Sequence, residues 1–144
     1  MVSVVRGVGA LPHVGRLGLA GRPDRREIRR WIRGVCAARL DVHTLVDVLL
    51  VTTELVENAY RHTSCPIEAR IACADFGVMV EVSDGDADHP AEMAAADRTW
   101  GGRGVQAMVE LAISWGVREE GPGKTVWALL PMVVPKVTPR TPRR

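Results

Sequence analysis

Residues 42–61 place Leu45, Val48, Thr52, Leu55 and Ala59 at alternating spacings of three and four. That rhythm sustains one helix face over about five turns, and it commits the segment to a long helix whose stripe must be covered by something flat. Asp41 stands where an N-cap is needed. A cover is available in the chain: residues 67–72 and 77–82 read as strands around a turn near Asp75. A second pair, residues 115–118 and 125–130, flanks the turn-forming run Glu119-Glu120-Gly121-Pro122-Gly123.

The remaining elements follow from local signals. Asp24 with Glu27 has the D-x-x-E spacing of a capping box, which predicts a helix beginning after Pro23 with Ile28, Ile32 and Val35 on its buried face and Trp31 beside them. A Gly-rich start gives one edge strand over residues 14–19. Residues 104–114 predict a helix burying Val105, Met108, Val109 and Ala112. Residues 86–100, polar and irregular, read as a lid. The sum is an α/β two-layer sandwich, a mixed, mostly antiparallel sheet with helices packed on one face.

At 144 residues the chain fits one domain with a true core. The expected organisation is an N-terminal segment over 1–21, a domain over 22–130 and a basic, Pro-rich, disordered tail over 131–144. The tail carries Lys136, Arg140, Arg143 and Arg144 and no acid, so the basic balance belongs to it and the preceding 130 residues are net −2. Direct nucleic-acid binding is therefore not expected of the domain. Cys36, Cys65 and Cys73 form no C-x-x-C pair and no zinc spacing, which reads as reduced thiols in a cytoplasmic protein. No stretch approaches the roughly twenty apolar residues of a membrane span, and Arg6, Gly7 and Gly9 interrupt any signal-peptide core.

Chemistry enters in the run Glu54-Leu55-Val56-Glu57-Asn58-Ala59. Glu54 and Asn58 are one turn apart on one helix face. An amide oxygen there can ligate Mg²⁺ while the carboxylate deprotonates an attacking hydroxyl. Asp47, Glu54, Asn58 and His62 line a face distinct from the apolar stripe, interrupted only by Val51, so the pair is expected outside the core. Downstream, Asp84-Gly85-Asp86 follows a predicted strand, Gly101-Gly102-Arg103-Gly104 opens a helix, and Gly123-Lys124-Thr125 leads into the last strand.

Glu54-Leu55-Val56-Glu57-Asn58-Ala59, Asp84-Gly85-Asp86 and Gly101-Gly102-Arg103-Gly104 resemble, in that order, the N, G1 and shortened G2 boxes of the GHKL (histidine-kinase-like) ATPase superfamily, and within it the small actinobacterial ATP-binding regulators similar to anti-sigma factor serine/threonine kinases. The likeness runs over residues 24–130. It implies the Bergerat-type fold, ATP and Mg²⁺ as cofactors, and a protein kinase that phosphorylates a STAS-type anti-anti-sigma partner and thereby controls a sigma factor. A homodimer is also implied. Glu54 would be the general base and Asn58 the Mg²⁺ ligand. Asp84 would accept from the adenine amino group, with Gly85 allowing close backbone approach. Gly101, Gly102, Arg103 and Gly104 would hold phosphates, and Lys124 or Thr125 would reach the nucleotide from the last strand. The alternative is a nucleotide-dependent protein-binding module without efficient phosphotransfer.

Three features bound this reading. Gly123-Lys124-Thr125 is not the end of a P-loop, because Arg118 stands where the first glycine belongs. The sequence has no phosphoacceptor H-E-x-x-x-P pattern, so a complete histidine kinase is not expected. The G1 segment lacks the second glycine of a D-x-G-x-G form. Finally, Arg22, Arg26, Arg29, Arg30 and Arg33 form a basic stripe on the first helix, either a solvated face or a docking surface for an acidic partner. In the resembled kinases this region lies near the dimer and sigma-factor contacts.

Overall fold

A computed structural model describes residues 13–63, 65–85 and 108–132. The elements run β1 (His13–Gly18), α1 (Arg25–Cys36), α2 (Val42–His62), β2 (Pro66–Ala74), β3 (Gly77–Asp84), β4 (Ser114–Glu120) and β5 (Gly123–Leu130). They build a five-stranded sheet of order β1-β2-β3-β5-β4. Every pairing among the described residues is antiparallel, so the expected mixed sheet is corrected to a uniformly antiparallel one. The two hairpins β2–β3 and β4–β5 join through β3 and β5, which fixes their order without a parallel crossover.

Register explains which face is covered. Ala69, Ile71 and Cys73 of β2 oppose Val82, Val80 and Val78 of β3. Those in turn oppose Val126, Ala128 and Leu130 of β5. Because side chains alternate across a strand, all nine point to one face, and all nine are buried against α1 and α2. Each large aliphatic among them contributes roughly 1.5–3 kcal/mol by leaving water. The opposite face carries charge instead: Glu81 accepts from Arg70 at 2.9 Å and from Arg118 at 2.6 Å, and Arg118 also pairs with Glu120.

Both long helices start as their sequences dictate. Asp24 accepts from the Glu27 amide at 2.9 Å while the Glu27 carboxylate reaches back to the Asp24 amide, closing the capping box. Asp41 accepts from the Thr44 amide at 2.8 Å. Gly15 lets β1 approach α1 closely: a Cβ there would overlap the Val35 side chain. Between β1 and α1, Arg22 adopts a left-handed backbone (φ 51°) and lays its guanidinium 4.7 Å from the Tyr60 ring centre. Burial raises the Tyr60 hydroxyl's pKa, and the Arg22 charge opposes that shift.

Two local expectations are corrected. Of the helix expected over 104–114, the described residues 108–111 are helical, and the chain gives way to β4 at Ser114. The Ile113 amide already donates to Leu129 O at 2.7 Å, so the sheet ladder captures the backbone there. In that turn Met108 is fully buried but Val109 is exposed. Val105, the lid over 86–100 and the tail from 133 onward lie outside the described residues. No helix among the described residues is long and apolar enough to cross a membrane.

Candidate functional site

The α2 helix carries the polar pair, but its two members meet different surroundings. Asn58 is 0% exposed, and among the described residues neither its Oδ1 nor its Nδ2 has a hydrogen-bond partner. Glu54, one turn earlier, is half-buried. The expectation that the pair stays outside the core is thus corrected for Asn58. The buried arc of α2 is wider than the 3-4-3-4 stripe and takes in Val51 and Asn58 alongside Val48, Leu55 and Ala59. The physical reason is that α2 packs on the sheet and on α1 at once, so more than one stripe is covered.

Glu54 lines an open groove of about 340 Å³ between the helices, with Arg25, Arg29 and Arg33 from α1 and Leu49, Leu50 and Thr53 from α2. The three arginines recur every fourth residue and so share one face of α1. Arg25 is not free: its Nη2 donates to Glu57 Oε2 at 2.8 Å, and its Nε donates to the other carboxylate oxygen. That bond, reinforced by the Glu57 charge and more weakly by Glu54, raises the Arg25 pKa above its ordinary value.

At the end of β3, Asp84 faces Lys124 at the start of β5. The Lys124 ammonium lies 3.0 Å from Asp84 Oδ2 and 3.2 Å from Oδ1, with both side chains at most 3% exposed. Both belong to the helix-covered face, two residues beyond Val82 and two before Val126. Thr125 is offset by one residue and points to the opposite face, where its hydroxyl donates to Ser83 Oγ at 3.3 Å. The expected nucleotide contacts from the last strand are therefore divided: Lys124 accompanies Asp84 and Thr125 does not. Gly85 donates its amide to Cys65 O at 2.8 Å, which ties the end of β3 to the start of β2. Gly123 sits so close to this point that a Cβ would overlap the Asp84 carbonyl oxygen.

Gly101, Gly102, Arg103 and Gly104 lie outside the described residues. Two features escaped the sequence reading, namely the Asp84–Lys124 pair and the burial of Asn58. The first needs the β3–β5 register, which no local pattern encodes. The second was signalled by Val51, the one apolar residue on the supposedly polar face.

Compared with known proteins, the chain matches no family model and no curated protein sequence.

Proposed function

We propose that this chain is an ATP-binding regulatory protein of the GHKL type, acting as a serine/threonine protein kinase on a STAS-type anti-anti-sigma partner and so governing a sigma factor. The observation that carries the reading is the Asn58 amide, buried on α2 with both polar atoms unpartnered among the described residues. Leaving such a group unmade costs about 1–3 kcal/mol, and native chains keep orphaned amides mainly where something else completes them. An amide oxygen suits Mg²⁺, so the residue fits the ion that the box pattern implies. Helices packed on one face of a sheet, and Asp84-Gly85 at a strand end, accord with that pattern.

Within this reading Asn58 would hold Mg²⁺, which would supply charge neutralisation at the nucleotide phosphates. Glu54 accepts the proton of the incoming serine or threonine hydroxyl. Asp84, paired with Lys124 at the end of β3, takes the hydrogen bond of the adenine amino group. Gly85 keeps the backbone open to the base.

The Asp84–Lys124 pair supports a second reading. A carboxylate already neutralised by a buried ammonium reads a base less strongly, which suits a module in which nucleotide sets partner affinity without efficient phosphotransfer. Calorimetric titration of ATP with Mg²⁺ into wild type and Asn58→Ala, each checked for folding, tests the site. Magnesium-dependent binding to wild type that Asn58→Ala loses is expected. A folded wild type that binds no ATP overturns both nucleotide readings.

A further inference from the structure

Cys36 closes α1 and Cys73 is the penultimate residue of β2, and the packing of α1 on the sheet brings their sulfurs to 3.8 Å. They are distant in sequence and match no redox motif. Yet they are the two buried thiols, whereas Cys65 is exposed. We propose that Cys36 and Cys73 are an oxidative modification site, which a hydroperoxide converts into a disulfide tying the end of α1 to β2.

The chemistry balances with hydrogen peroxide as the oxidant. One of the two sulfurs attacks one peroxide oxygen, an S–O bond forms and the O–O bond breaks, leaving a sulfenic acid on that cysteine and releasing water. The second sulfur then attacks the sulfenic sulfur. The S–S bond forms, the S–O bond breaks, and a second water leaves with the proton of the resolving thiol. Two thiols are oxidised and one peroxide is reduced.

Cys36 and Cys73 share a hydrogen bond in which either sulfur can be the donor. The thiolate is the nucleophile, so the sulfur that accepts this bond attacks first and the donor resolves. The Arg39 charge favours the thiolate form at both positions. Access comes from the chain end of α1: Ala37, Ala38 and Arg39 are exposed immediately after Cys36, and terminal helical turns open at low free-energy cost. The sulfurs must close from 3.8 Å to the roughly 2.05 Å of a disulfide, a movement within reach of a helix end. The bond encloses all of α2, so the helix that presents Glu54 and Asn58 becomes covalently bracketed.

The test uses the full-length chain, reduced, freed of reductant and treated with stoichiometric hydrogen peroxide. Free thiols are counted under denaturing conditions, and non-reduced tryptic peptides are mapped by mass. Two of the three thiols should disappear, with the Cys36 and Cys73 peptides joined and released again by reductant. The Cys65→Ser variant should give the same linked pair. The wild-type mapping does not depend on any variant folding, and a parallel oxidation in urea supplies the statistical mixture of pairings. A native map indistinguishable from the urea mixture overturns the proposal. So does oxidation confined to Cys65 with Cys36 and Cys73 still free.

Discussion

Lys124 Nζ lies 3.0 Å from Asp84 Oδ2 across the β3–β5 ladder, with both side chains withdrawn from water. Facing register alone brings them together, since 40 residues separate them in sequence. Their depth makes the pair asymmetric in its energetics: a buried ion pair is costly to assemble but costlier to halve.

Lys124→Met should therefore destabilise the fold by about 3–5 kcal/mol, because the Asp84 carboxylate loses its cation while remaining in the core. The double variant Asp84→Asn/Lys124→Met should recover most of that loss. Urea unfolding followed by circular dichroism reads both. Equal loss in the single and double variants would show that Lys124 acts through its packing and not through its charge.

The neighbouring Gly123 is constrained by backbone rather than charge. A Cβ there meets the Asp84 carbonyl oxygen and then Gly85 Cα, neither of which has a side chain that can swing aside. Gly123→Ala should cost about 1–3 kcal/mol, the range for forced overpacking. Gly18→Ala, with nothing near the added methyl, should have a much smaller effect in the same thermal melts.

Much of this architecture was legible because each element announces itself locally. Asp24-x-x-Glu27 and Asp41 mark both helix starts, and the alternation in β2, β3 and β5 marks a face to be covered. Legibility failed where two elements compete for one residue. Ser114 belongs to a helical pattern and to a strand ladder, and the Ile113–Leu129 bond decides for the strand. It failed again at Asn58, where helix periodicity gives an angle but not the number of neighbours that cover it. The Glu54–Asn58 spacing was readable; the burial that separates their environments was not.

Asp41 provides a pH dependence. Hydrogen bonds from the Thr44 side chain and then from the Thr44 amide, with a smaller effect from His43, hold its pKa below the usual 3.8. A carboxylate depressed on folding stabilises above its unfolded pKa, and that contribution is lost as pH falls through the folded value. Wild type should thus lose more melting temperature than Asp41→Asn between neutral pH and the region below about pH 3.8, because Asn caps without titrating. Parallel melting curves for the two proteins would remove Asp41 from the acid transition.

Glu54 offers a separation of binding from chemistry that rests on the kinase reading. Glu54→Gln keeps the shape of the half-exposed side chain but removes its basicity. Phosphotransfer to a STAS-type partner should fall by about 10²–10⁴-fold, while magnesium-ATP affinity by calorimetry should stay at the wild-type level. Loss of affinity together with turnover would place Glu54 in the architecture of the groove and not in proton transfer.

Asn58 sets stability against function most directly. Replacing an orphaned buried amide with a side chain of similar shape removes two unmet hydrogen-bonding demands, so Asn58→Leu should stabilise the ligand-free chain by about 1–3 kcal/mol. It should also abolish magnesium-dependent ATP binding if the amide is kept for the ion. Thr52→Val supplies the control, because Thr52 is equally buried on α2 and its hydroxyl is likewise unpartnered. That variant should be stabilised while nucleotide binding survives. If both variants gain stability and both still bind, Asn58 is a packing residue and the ion is held elsewhere. If Asn58→Leu instead destabilises the fold, the role of the amide is structural.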